Sequence, residues 1–244
     1  MSIAVEELAR KIDHSLLTPE ATPEQIDLLC DEAVTYGFGA VCVNPVYVRR
    51  VARRLTELTT NRSDAEGPAI VSVAGFPLGT STTDTKADEA RRAIDDGASE
   101  IDMVVHLGAL IESRHAAVRK DIATLAHVVH RRVDGGVLKV ILECRALTTQ
   151  QIILGCRCCA EGEADFVKTS TGMHPSGGAT TDIVQLLYRH ASPLLIKAAG
   201  GIRTAKAALE MIEAGAARIG SSSSVAMIEE LRGGLALTPE KETR

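Results

Sequence analysis

The sequence predicts an α/β protein built as a single (β/α)8 (TIM) barrel with a short N-terminal helix. Three observations carry this. Eight short β-branched or apolar runs recur along 244 residues. Their centres lie roughly 25–40 residues apart, the size of a strand–loop–helix–loop unit. The runs are nearly continuously apolar, as in parallel strands covered by helices. The stretches between them are amphipathic, and no Pro/Gly/Ser-rich linker divides the chain. An open doubly wound sheet would carry a Gly-x-Gly-x-x-Gly turn after its first strand, and this chain has none.

Taken in order, residues 1–11 carry Glu6 and Glu7, lack the apolar core of a secretion signal and supply the short leading helix. The strands are expected over residues 14–17, 40–43, 70–74, 101–105, 138–142, 166–169, 194–198 and 218–220. Thr22-Pro23-Glu24-Gln25 opens a helix with a capping hydroxyl and proline in the first turn. Residues 83–96 and 204–214 read as helices stopped by Gly97 and Gly215. Ser222 and Ser223 open the last helix. Thr60 to Gly67 is a polar loop, and residues 238–244 form a frayed tail. Residues 1–244 thus read as one domain.

Composition excludes several classes of function. The balance of 27 Lys and Arg against 32 Asp and Glu gives a net charge of −5, the wrong sign for a nucleic-acid footprint. Three Phe, three Tyr and no Trp offer few platforms for base stacking. No apolar run approaches the roughly 20 residues of a membrane span. Without a signal segment the protein is expected in the cytoplasm, and its six cysteines are expected as thiols. Cys156, Cys158 and Cys159 lack a familiar zinc spacing and read as small apolar side chains on a helix. No metal site is expected.

In such a barrel the chemistry belongs at the C-terminal ends of the strands. Asp102, Lys168 and Lys197 each interrupt an otherwise apolar run, where a charge is costly unless paired or used. Lys168 and Lys197 fall on neighbouring strands about 4.8 Å apart. Two nearby ammonium groups oppose each other's protonation, and burial adds to this, so one would be a neutral, nucleophilic amine. Asp102 could pair with Lys197 and move protons. The same spacing also fits two lysines snorkelling to solvent with Asp102 as an ion-pair partner. Gly172, Gly200, Gly201 and Gly220 follow late strands. Together with Ser222 and Ser223 at a helix start they suit a phosphate group, although tight turns and a serine cap have the same composition. His14 and Cys42 sit on strands one and two, where they either face the pocket or fill the core. Arg203 either adds charge at the phosphate or pairs at the surface.

The motifs Ile12-Asp13-His14-Ser15-Leu16-Leu17, Val41-Cys42-Val43-Asn44-Pro45, Gly75-Phe76-Pro77-Leu78-Gly79 and Glu100-Ile101-Asp102-Met103-Val104 continue with Lys139-Val140-Ile141-Leu142-Glu143, Lys168-Thr169-Ser170-Thr171-Gly172 and Lys197-Ala198-Ala199-Gly200-Gly201-Ile202-Arg203. In this order, over nearly the whole chain, the sequence resembles the deoxyribose-phosphate aldolase family of class I, Schiff-base aldolases. The resemblance implies reversible cleavage of 2-deoxy-D-ribose 5-phosphate to D-glyceraldehyde 3-phosphate and acetaldehyde, without a cofactor. It implies Lys168 as the Schiff-base lysine, Lys197 as the lysine that keeps it neutral, and Asp102 as the acid/base partner of Lys197 through a water. It implies a phosphate cradle of Gly172, Gly200, Gly201, Gly220, Ser222 and Ser223. Cys42, Thr169 and His106 are carried as pocket-lining positions, and a homodimer is implied. The chain departs from the family pattern at His106, Cys144 and Met173-His174-Pro175. It also lacks a C-terminal tyrosine, its last being Tyr188. Another phosphorylated sugar as substrate, or a non-catalytic phosphate-binding barrel, would share much of this pattern. Phe76 is the one aromatic expected near the site.

Overall fold

The structure, a computed structural model, describes residues 3–60 and 67–233. The expected tail over 238–244 and residues 61–66 of the expected polar loop lie outside the described residues. A short helix α1 (Val5–Arg10) precedes strand β1 (Ile12–Leu16). Strands β2 (Ala40–Val43), β3 (Ala69–Ala74), β4 (Glu100–Val104), β5 (Val137–Ile141), β6 (Phe166–Lys168), β7 (Leu195–Ala199) and β8 (Arg218–Ser221) follow. All pair in parallel in sequence order, and β8 closes on β1 through Ile12–Ile219 and Asp13–Gly220. The fold is a (β/α)8 barrel.

The helices cover the sheet: α2 (Pro23–Tyr36), α3 (Val48–Thr59), α4 (Thr83–Asp95), α5 (Leu107–Ile111), α6 (His115–His130), α7 (Thr149–Glu161), α8 (Thr181–His190), α9 (Ala205–Glu213) and α10 (Ser224–Arg232). Their starts follow local chemistry. Thr22 accepts from the Gln25 backbone N–H while the Gln25 side chain accepts from the Thr22 N–H, a capping box ahead of Pro23. Thr82 and Thr204, one residue outside α4 and α9, accept from the Thr85 and Ala207 backbone N–H, without the reciprocal side-chain bond. Substituting such a hydroxyl with alanine costs about 1 kcal/mol.

Two cores result. The larger lies between sheet and helices and includes Cys144, Cys156, Cys158 and Cys159, all buried free thiols. Burial raises each of these thiols' pKa, so they act as apolar side chains. The smaller core is inside the barrel, where Ala40, Cys42, Val71 and Val73 from β2 and β3 pack together with Leu17 and Phe76 against them. Phe166 of β6 adds one ring on the far side, under the Lys139 ammonium at 5.9 Å. The inward positions of β4–β8 and β1 carry charges, and this division positions the site. No helix among the described residues is long and apolar enough to cross a membrane.

Candidate active site

Side chains alternate along a strand, so register decides which residues face one another inside the barrel. Lys168 pairs in register with Lys197, Lys197 with Arg218, and Asp102 with Lys139. All point inward. Asp102 collects three ammonium groups: its Oδ2 accepts from Lys168 and Lys197, each at 2.7 Å, and its Oδ1 accepts from Lys139 at 3.1 Å. Lys197 also pairs with Asp13, and Lys139 with Glu100. Arg218 Nε donates to Asp13 Oδ1 at 2.7 Å and reaches Glu100 at 3.4 Å. Gly220 makes room for this arrangement, since a Cβ there would stand 3.2 Å from Lys197 Cε.

The network holds three carboxylates (Asp13, Glu100, Asp102) and four cationic side chains (Lys139, Lys168, Lys197, Arg218). Loss of one proton makes it neutral. Lys168 is the member driven that way. Burial, reinforced by the Lys197 ammonium, lowers its pKa below the ordinary lysine value despite the pull of Asp102. Burial opposes charge at Lys197 and Lys139 too. At Lys197, however, Asp102 and Asp13 outweigh it and raise the pKa. At Lys139, Asp102 and Glu100 do the same. The Asp102 carboxyl is disfavoured by burial yet held well below the usual carboxylate range by Lys139, Lys168 and Lys197. Asp13, likewise opposed by burial, is held at about 2 by Lys197, Lys139 and Arg218. The result is an amine of lowered pKa beside an ammonium of raised pKa and a carboxylate of lowered pKa.

Above Lys168 a cavity of about 190 Å³ opens at the C-terminal end of the barrel. Gly172, Gly200, Gly201, Gly220, Ser221, Ser222 and Arg203 line it. Gly172, Gly200 and Gly201 have φ of +80°, +93° and +78°, a backbone that side chains with a Cβ rarely adopt. The loops after β6 and β7 interlock: Ala179 N–H donates to Gly200 O, and a Cβ on Gly178 would stand 2.0 Å from that oxygen. Ser223 is the N-cap residue of α10, and its N–H donates to Ser221 Oγ at 2.9 Å. A dianion between these backbones and Arg203 would meet N–H donors and positive charge.

Several expected positions lie elsewhere. His106 does not line this cavity. It caps α5, its Nδ1 accepting from Ala109 N–H at 3.0 Å, and it lines a separate hollow with Thr82, Thr83 and Arg114. Thr169 does not line it either. Its hydroxyl bridges to the neighbouring strand, donating to Ala199 O at 2.9 Å and accepting from Ala199 N–H at 3.0 Å. Cys42 is fully buried in the interior core, where desolvation raises its pKa. His14 is the middle residue of β1. It points outward to α2, its Nε2 2.8 Å from Glu32, and burial lowers its pKa. Phe76 packs on the interior core beside Cys42.

The sequence alone does not single out Asp13, Glu100, Lys139 and Arg218. Lys139 has the same signature as Asp102, Lys168 and Lys197, a lone charge inside the apolar run Val-Leu-Lys-Val-Ile. Asp13 stood one residue before the expected start of β1, which begins at Ile12.

The pattern of the DeoC/LacD family aldolases matches residues 8–234 of this chain. The chain belongs to this family. The deoxyribose-phosphate aldolase of Thermococcus kodakarensis is 48% identical over 224 residues, spanning 91% of this chain and 96% of that protein. That of Clostridium kluyveri is 46% identical over 226 residues, spanning 92% and 98%. Among solved structures, the tetrameric deoxyribose phosphate aldolase from Aeropyrum pernix superposes with a TM-score of 0.84 at 34% identity, covering 94% of this chain and 92% of that one. As a DeoC/LacD aldolase, the chain has its lysine pair and carboxylate at the barrel end where this fold puts its chemistry.

Proposed function

We propose that this aldolase catalyses reversible cleavage of 2-deoxy-D-ribose 5-phosphate to D-glyceraldehyde 3-phosphate and acetaldehyde through a Schiff base on Lys168. The observation that carries the proposal is a buried lysine of lowered pKa, 2.7 Å from a carboxylate that it shares with a second, protonated lysine, at the floor of a glycine-rich cavity. Relatives named deoxyribose-phosphate aldolase at 46–48% identity supply the substrate class.

The chemistry follows from the arrangement. Neutral Lys168 attacks the C1 aldehyde of the open-chain sugar and, with loss of water, forms a protonated imine. The C3 hydroxyl loses its proton as the C2–C3 bond breaks. The bonding pair moves into the iminium to give an enamine, and D-glyceraldehyde 3-phosphate leaves. A proton then adds to the enamine carbon, and water hydrolyses the imine to free acetaldehyde. Asp102 and Lys197 move the protons through a water. Gly172, Gly200, Gly201, Gly220, Ser222 and Ser223 cradle the phosphate, whose binding orients the reacting carbons. The roles of Lys139 and Asp13 in this reading are to hold Asp102 ionised and Lys197 protonated.

Residues 1–244 are read as one domain, working in the cytoplasm as a homo-oligomer. The Aeropyrum pernix relative is a tetramer, and a homodimer is the simplest closed assembly for this chain. The activity is tested by incubating the protein with 2-deoxy-D-ribose 5-phosphate and measuring both aldehydes, against a panel of other phosphorylated aldoses and ketoses. Release of acetaldehyde and D-glyceraldehyde 3-phosphate in equal amounts is expected. Preferred cleavage of another sugar phosphate would reassign the substrate. Binding without cleavage would favour the non-catalytic barrel.

A further inference from the structure

One buried carboxylate beside the cavity has no part in the lysine network. Glu143 follows the last residues of β5 and is 3% exposed. Its backbone is left-handed at φ +57°, a conformation uncommon for a residue with a side chain. Strain of this kind persists where the surroundings enforce it. Here the carboxylate turns onto the loop after β6. Thr171 donates its hydroxyl proton to Glu143 Oε2 at 2.5 Å and its backbone N–H to the same oxygen at 3.2 Å. The Thr171 Oγ1 also accepts from Met173 N–H at 3.0 Å. Thr171 and Gly172 line the cavity next to Lys168.

A hydroxyl has one proton and two lone pairs. With its proton committed to Glu143 and one lone pair to Met173, Thr171 keeps one lone pair and no donor. It can therefore serve a ligand only as an acceptor. We propose that Glu143 is a positioning residue that fixes Thr171 as an acceptor for a substrate hydroxyl beside Lys168, while holding the Thr171–Gly172 backbone in the shape that receives the phosphate. The inference rests on the sugar-phosphate reading of the site and extends it. A substrate carbon bearing hydroxyl at this position is retained, and one bearing a carbonyl, which only accepts, is disfavoured.

The test compares Glu143→Ala, Glu143→Gln, Thr171→Val, Thr171→Ser and the Glu143→Ala/Thr171→Val double variant. Two rates are measured for each: cleavage of 2-deoxy-D-ribose 5-phosphate, and borohydride trapping of acetaldehyde, which has no hydroxyl or phosphate. Thermal unfolding checks that each variant is folded. Glu143→Ala and Thr171→Val are expected to lower kcat/KM for cleavage about tenfold or more, the worth of a hydrogen bond to a charged group. Trapping of acetaldehyde should stay within about twofold. Glu143→Gln and Thr171→Ser should recover part of the loss. The double variant should be no worse than Glu143→Ala, because Glu143 acts through Thr171. Multiplying losses in the double variant, or equal loss of cleavage and trapping, overturns the proposal. If Glu143→Ala does not fold, Thr171→Val decides: full cleavage activity in it rejects the proposal. Failure of the unsubstituted protein to cleave the sugar phosphate would instead reject the underlying functional reading.

Discussion

Replacing Lys197 with methionine tests the electrostatics at the centre of the site. Both lysine nitrogens stand 2.7 Å from the same oxygen of Asp102, so they are separated by no more than twice that distance. At about 5 Å and an effective dielectric of about 20, two like charges repel by about 3 kcal/mol. Methionine keeps the length and removes the charge. It also leaves Asp102 Oδ2 to Lys168 alone, which favours the Lys168 ammonium further. Because Lys168 is held below the ordinary lysine value, removing its neighbour raises its pKa. At about 1.36 kcal/mol per pKa unit that repulsion is about two units, so at a given pH on the acid side the neutral fraction of Lys168 falls by about a hundredfold or more. The assay is the initial rate of borohydride trapping with acetaldehyde across a pH series. The acid limb should move to higher pH in Lys197→Met, and trapping at neutral pH should fall by that factor. An unmoved limb, or one displaced to lower pH, would refute the claim that Lys197 keeps Lys168 neutral.

Two further outcomes follow from other parts of the barrel. Asp13 is held at about 2, below its ordinary value of 3.8. A depressed carboxyl contributes stability that is present above about pH 4 and is lost as pH falls toward 2, here about 2 kcal/mol. Urea unfolding at stepped pH should therefore show the stability gap between the native protein and Asp13→Asn narrowing by about that amount over this window, and a constant gap would count against it. Gly178→Ala places a methyl 2.0 Å from Gly200 O and must push the loops after β6 and β7 apart. The KM for the phosphorylated sugar should rise about tenfold or more, with acetaldehyde trapping little changed, and an unchanged KM would sever Gly178 from the cradle.

The barrel was legible because eight apolar runs and their capped helices repeat at one spacing, and local chemistry such as Thr22–Gln25 marks where helices begin. Asp102, Lys168 and Lys197 were legible as lone charges in apolar strands. What stayed hidden depends on direction. Thr169 and Lys168 are adjacent, yet one turns to Ala199 and the other into the barrel, and only the pairing of β6 with β7 decides which. His14 and Asp13 differ in the same way, so a strand start misjudged by two residues put the wrong one forward. His106 follows a strand as a site residue would, but its ring closes the first turn of α5. The role of Glu143 required knowing a backbone angle and a contact to Thr171, 28 residues away. Neither is written in residue type.

The central claim is that Lys168 forms the covalent bond to substrate. Mass mapping of the protein after borohydride reduction with acetaldehyde tests this most directly. The account predicts one two-carbon adduct, on the peptide containing Lys168, and its loss in Lys168→Leu together with cleavage activity. An adduct mapped to Lys197 or Lys139, or full turnover by Lys168→Leu, would contradict it.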